Sequence, residues 1–427
     1  MGSAPSAPMS STFLPTLPLQ FSYPLLFAVL LVAGMLGGEM ARAARLPRIL
    51  GYVVVGMVFA PLANAMSMEP IIDVGRVFVD LALGLVLFDL GRRMDLQWMK
   101  REWTLAATGL AESLLSFGAV FVTLQWFDVG AVKAGIAAAI AMATSPAVVL
   151  LVVQDTRAEG QVTERALNIV ALNSLLASIV TTILLASVHL EAKVDVEVAL
   201  LHPAYLFLGS LALGAAVASA ARLIARTVEK TRDLHFTLIA GMVIGAVGFA
   251  IMLKLSVILA LLAFGLFSRN DARSHDLLNV NLGASSRLLY IVLFVITGAS
   301  LPVSALVVAG GAGLALALAR FAGKFVAVVA LAPFGHLRLR QAAGLALTLA
   351  PVSTFALLLQ HDVLRAYPEF ADVSAMFLAA ILVMEFVGPL AVQAGLRIAG
   401  ETAPDDDVGS ITGRHVARIP GAPEGLR

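Results

Sequence analysis

The feature that most constrains this chain is a succession of long apolar runs, broken only by short charged or Gly/Pro/Asn-rich stretches. Thirteen runs are long enough to be helices, at about 22–41, 47–63, 73–91, 103–126, 131–153, 165–188, 203–222, 235–252, 255–268, 286–300, 304–332, 341–360 and 373–397. Thirteen spans of about 20 residues need about 260 residues, which a chain of 427 supplies. Hydrophobic residues make up 59% and charged residues 13% of the chain. An ordinary soluble domain is about 25% charged, so a water-facing surface could not be covered with what remains. The runs are continuous rather than alternating, which excludes an outer-membrane barrel. The sequence predicts an all-α polytopic membrane protein of about 13 transmembrane helices.

The basic residues set an orientation. Eighteen fall in loops on one side, from Arg42, Arg45 and Arg48 through Arg157 and Arg165 to Arg338 and Arg340, and four more lie in the C-terminal tail. The other side holds Arg76, Lys133, Lys193, Lys254 and Arg365. An odd number of spans preserves this sorting. It predicts a multi-pass protein of the bacterial inner membrane, N-terminus periplasmic and C-terminus cytoplasmic. Residues 1–20 are Ser/Pro-rich without Lys or Arg and read as a disordered tail, 21–400 as the transmembrane domain, and 401–427 as a short cytoplasmic tail. That tail is too short for a nucleotide-binding regulatory domain.

Several classes are excluded. A net charge of +1 gives no reason to expect nucleic acid, and the absence of cysteine removes thiolate metal sites and cysteine nucleophiles. No histidine pair faces the core of a span, so neither haem ligation nor a zincin site is supported, and no Walker A sequence is present. No nucleophile and base pair is visible. The reading is a protein that is not an enzyme, without cofactor or metal centre, driven by an ion gradient rather than by ATP.

Polar chemistry inside the spans is concentrated. Span five is interrupted at Thr144-Ser145-Pro146 and span twelve at Pro351-Val352-Ser353, and the two prolines are 205 residues apart. The same offset carries span four onto span eleven. Proline removes an amide donor and disrupts the helix, and paired interruptions in two halves point to an inverted repeat with an ion site near the midplane. Two ordinary proline kinks are the plainer alternative. Arg320 and Lys324 lie one turn apart on span eleven, where a charge costs at least about 2.5–3.5 kcal/mol and needs a partner or a watery cavity. Snorkelling of one of them to the interface is the alternative. Span four carries Thr108, Glu112 and Ser116 on one face, and span six carries Asn173, Ser174, Ser178 and Thr181. Hydroxyl stripes of this kind also serve helix packing. Asp80 on span three and Glu385 on span thirteen are secondary candidates, while Asp89 beside Arg92 and Arg93 reads as a structural ion pair.

Leu46-Pro47-Arg48-Ile49-Leu50-Gly51-Tyr52 with Gly56 and Pro61 resembles the second span of Kef/NapA-like cation:proton antiporters. So do Phe88-x-x-Gly91, Thr144-Ser145-Pro146-Ala147, Thr297-Gly298, Gly323-Lys324, Glu385-x-x-Gly388-Pro389 and Ala399-Gly400-Glu401. The resemblance runs from about residue 22 to 401. It implies a thirteen-helix fold, a homodimer with a dimer panel and a moving core, and helices five and twelve crossing at unwound middles. It also implies that Lys324 pairs with a carboxylate on span six that trades a proton for Na⁺ or K⁺. Here the sequence departs from the family, with Asn173-Ser174 where the acidic pair belongs. Glu112 is the preferred substitute, with Lys324 itself and Asp80 as alternatives. The expected activity is exchange of a monovalent cation for protons, with Thr144, Ser145, Asn173 and Ser174 supplying oxygens. The alternatives are transport of an anion or small carboxylate metabolite on the same fold, or a non-transporting membrane sensor.

Overall fold

The computed structural model describes residues 23–65, 71–94, 96–191, 196–227, 232–270, 287–301, 303–352, 356 and 371–403. The tail expected at 1–20, nearly all of the tail beyond 401, and Ser353 lie outside the described residues.

The described chain is helical, and its one β-bridge is an isolated contact. The helices are α1 (Tyr23–Ala43), α2 (Arg48–Ala65), α3 (Ile71–Arg93), α4 (Leu96–Arg101), α5 (Trp103–Trp126), α6 (Ala131–Met142), α7 (Pro146–Thr156) and α8 (Gln161–Glu191). They continue as α9 (Val196–Ala225), α10 (Arg232–Met252), α11 (Val257–Asn270), α12 (Arg287–Ser300), α13 (Val303–Leu331), α14 (Leu339–Thr348) and α15 (Ala371–Ala399). Every predicted run is met by helix, except that span twelve is described only as far as its break. Span five is two helices, α6 and α7. Within the described residues six helices are long and apolar enough to cross a membrane by length and composition. On one of them, α5, exposed Trp103 and Trp126 mark the two ends, as interfacial tryptophans do.

The helices sort into two bundles. In the first, α13 packs on α5 and α15, α14 packs on α15, and α6 lies between α5 and α8. In the second, α2 packs between α1 and α12, while α3 and α9 flank α11, with α10 across them. The bundles meet where α8 touches α9 and α3, and where α7 touches α2 and α3. Helices approach closely at glycines, as they must where lipid gives no hydrophobic drive for association. Gly323 on α13 is the case nearest the buried charges of that helix, because a Cβ there would lie 2.7 Å from the Leu115 carbonyl oxygen of α5.

The arginine-bearing loops gather at one end. Arg48 bridges Asp155 at 2.9 Å and Glu39 at 3.0 Å, and Arg165 donates to the Gly335 carbonyl. Asp89 is paired with Arg92 at 2.7 Å and Arg93 at 3.2 Å, as expected from the sequence. Glu401 follows α15 and takes the first amides of α8, accepting from Val162 N at 2.7 Å and Thr163 N at 2.8 Å. A carboxylate there satisfies orphan donors and meets the positive end of the helix.

Candidate functional site

The site begins with two failed helices. α6 stops at Met142 and α7 starts at Pro146, where a missing amide costs nothing because the first turn has no acceptor for it. Ser145 caps α7, its hydroxyl accepting from Val148 N at 3.4 Å. α14 stops at Thr348, and Leu349 to Val352 run on without helix. The two unwound segments cross antiparallel, paired at Thr144 and Val352. Ser145 N donates to Pro351 O at 3.3 Å, and the Thr144 hydroxyl donates to Leu349 O at 3.2 Å. Thr144 and Leu349 are 205 residues apart, the offset between the halves.

Each broken helix leaves carbonyls without partners, and Arg320 on α13 collects them. Its Nε donates to Ala141 O at 2.6 Å, and its Nη2 to Ala143 O at 2.9 Å and Pro351 O at 3.1 Å. Its Nη1 donates to Ala350 O. Two helix C-termini carry about half a negative charge each, and one guanidinium, 2% exposed, balances them. Snorkelling is therefore not what Arg320 does.

One turn on, Lys324 is fully buried and forms an ion pair with Glu112 Oε2 on α5. Its ammonium also donates to Met142 O at 3.0 Å. The other carboxylate oxygen of Glu112 accepts from Asn173 Nδ2 at 2.9 Å, and Ser113 Oγ approaches it at 3.5 Å. Asn173 Nδ2 also reaches Thr144 Oγ1 at 3.0 Å, while its Oδ1 accepts from Thr144 N at 3.2 Å. Neither charge could be buried alone without a cost of several kcal/mol. Together they form a neutral pair at the helix crossing.

The structure thus brings together Glu112, Thr144, Ser145, Pro146, Asn173, Arg320, Lys324 and Pro351. Ser174 does not join this network, because its hydroxyl is turned back to Val170 O at 2.7 Å on its own helix. Thr108 and Ser116 are likewise bonded within α5, to Thr104 O and Ser113 O. Glu385 is buried on α15, whose Gly388 lies against Pro351. Asp80 stays on α3, in the second bundle. Ser353 lies outside the described residues. Sequence reasoning missed the carbonyls of Ala141, Met142, Ala143, Leu349 and Ala350. A backbone oxygen has no residue-type signal, and only the nearby prolines hint that these are unpaired.

The oxygens gathered here, from one carboxylate, one hydroxyl, one amide and backbone carbonyls, suit a hard cation. Among the described residues no group of three His, Cys, Asp or Glu could hold a metal ion.

Two structures of the sodium proton antiporter MjNhaP1 from Methanocaldococcus jannaschii share the fold. One, determined at pH 8, has a TM-score of 0.67 at 17% identity, covering 88% of this chain and 97% of that one. The other, an electron-microscopy map, has a TM-score of 0.66 at 16% identity, covering 89% and 98%. No curated protein matches the chain. The family of sodium/hydrogen exchanger transmembrane domains matches residues 27–397. Because that match takes in both bundles and the crossing of the broken helices, the chain belongs to the sodium/hydrogen exchanger transmembrane family.

Proposed function

We propose that the protein is a secondary active transporter that exchanges a monovalent cation, Na⁺ or K⁺, for protons, with Glu112 as the carrier carboxylate. The observation that carries this reading is the fully buried Glu112–Lys324 pair at the crossing of the two broken helices. A cation reaching Glu112 competes with the Lys324 ammonium for the same oxygen. A proton on Glu112 discharges it and removes its hold on either. One buried carboxylate that cannot serve cation and proton together is enough to couple the two flows. Asn173 orients the carboxylate, and Thr144 supplies a hydroxyl oxygen beside it.

The anion alternative finds no support at this site, since Arg320 is engaged by four carbonyls and Lys324 by Glu112. The arginine-rich end is assigned to the cytoplasm by the positive-inside rule, which puts the C-terminus inside a bacterial inner membrane. The homodimer rests on the family resemblance.

The test uses proteoliposomes loaded with a pH-sensitive dye and an acid interior, to which Na⁺, K⁺ and Li⁺ are added in turn. Cation-dependent alkalinisation, lost in Glu112→Gln and Lys324→Ala, is the expected result. No response to any of the three cations over a wide pH range overturns cation:proton exchange. A response unchanged in Glu112→Gln excludes Glu112 as the carrier.

A further inference from the structure

Beyond Ser174, the outer half of α8 carries Ser178 and Thr181, four and seven residues on, which places all three hydroxyls on one side of the helix. Ser178 Oγ meets Ser256 Oγ across the boundary between the bundles, at 3.5 Å. Ser256 N in turn donates to the fully buried Ser210 Oγ of α9 at 3.0 Å. Ser256 caps α11, its hydroxyl oxygen accepting from Leu259 N, so α11 presents an oxygen here rather than bare amides. Thr181 Oγ1 is buried, its residue 2% exposed, and has no hydrogen-bond partner among the described residues. A buried hydroxyl left unsatisfied in this way is destabilising unless water or an ion serves it.

The inner half of the same face is different. Three, four and seven residues before Ser174 stand Ala171, Val170 and Leu167, all fully buried and apolar. Beyond them the bundles are clasped by the Arg48–Asp155 pair, Arg48 on α2 and Asp155 on α7. The polar side of α8 therefore runs only toward the arginine-poor end, where Ser256 is half-buried and Lys254 exposed.

We propose that Ser174, Ser178 and Thr181 on α8, with Ser256 facing them, form the outward half of the path by which water and the cation reach Glu112. Thr181 to Ser174 covers about 10 Å of helix, and Asn173 joins that end to the carboxylate. The Ser178–Ser256 contact is the narrow point. This rests on the ion site proposed above, but its geometry can be tested without ion exchange.

The chain contains no cysteine, so single cysteines can be introduced without a prior background change. Ser178→Cys, Thr181→Cys and Ser256→Cys are treated with a membrane-impermeant trimethylammonium methanethiosulfonate, added to the outer face of right-side-out vesicles. Val170→Cys is the comparison. The three hydroxyl positions are expected to react at least tenfold faster than Val170→Cys, and Na⁺ or K⁺ to slow the reaction. Ser178→Val is expected to raise the KM for the cation with little change in kcat, and Ser178→Thr to restore it. Reaction from the inner face alone, or no reaction at Ser178→Cys and Thr181→Cys from either face, overturns the path. Outer-face labelling in a protein that exchanges no cation leaves the water path standing, overturns its use by a cation and overturns the transport reading.

Discussion

Asn173 Nδ2 donates to Glu112 Oε1 at 2.9 Å while Lys324 holds Glu112 Oε2, so one carboxylate is fixed from two helices at once. The same amide group grips the unwound segment through Thr144 N and Thr144 Oγ1. Helices α5, α8 and α13 and the break after α6 are therefore joined through three side chains. In the exchange proposed above, a cation that displaces Lys324 disturbs all four at once, which gives a physical route from ion occupancy to the arrangement of the bundle.

Removing one member of the pair is predicted to be worse than removing both. Glu112→Gln leaves a buried ammonium without its counter-charge, a loss of about 3–5 kcal/mol. Glu112→Gln with Lys324→Met leaves no charge and is expected to unfold nearer the wild-type temperature. Thermal unfolding in detergent measures both, and exchange is lost in either case. A double variant as unstable as the sum of the singles would show that the two groups act independently.

Arg320→Ala takes the donor from four carbonyls, each costing about 1–3 kcal/mol when buried and unpaired. The expected result is a protein that does not accumulate in folded form. Arg320→Lys keeps the charge but loses the planar fork that reaches two broken helices, and is expected to fold with a lowered melting temperature. The measurement is the yield of monodisperse protein together with that temperature.

Gly323→Ala drives a Cβ to 2.7 Å from the Leu115 carbonyl oxygen, and the backbone of α5 cannot yield as a side chain can. The predicted cost is about 1–3 kcal/mol, with a raised KM for the cation because Lys324 moves with α13. Gly118→Ala on α5 is the control, since an added Cβ there meets nothing within 4 Å. Ala at that position is expected to be neutral or slightly stabilising.

Arg48→Ala and Asp155→Ala each release the clasp between the bundles at the arginine-rich end. Val170→Cys in either background is expected to become reactive from the inner face. Exchanging the charges, Arg48→Asp with Asp155→Arg, should restore protection, with a coupling of about 0.5–3 kcal/mol in a double-mutant cycle. Protection that survives both single variants counts against the clasp.

Much of the fold was legible because a membrane span is a local property. Twenty apolar residues in a row are sufficient to predict a helix, whatever the partners. The breaks at Pro146 and Pro351 were legible for the same reason, and their common offset reappears in the contact of Thr144 with Leu349. Glu112 and Lys324 stood out because each is an ionisable group in an apolar run.

Pairing was not legible in this way. Ser174 and Ser178 are both serines on one face of α8, yet one hydroxyl turns to its own helix and the other crosses to α11. Arg320 and Lys324 are a turn apart on α13, yet the first binds only carbonyls and the second a carboxylate. The sequence by itself determined the spans, their breaks, the two-fold repeat and the residues able to carry charge, because burial and backbone hydrogen bonding act on each segment separately. Only the tertiary structure decided that Glu112 meets Lys324 and Asn173 at the crossing of the broken helices. Such meetings depend on helix rotation and close approach, which are fixed by packing among segments 61 and 212 residues apart.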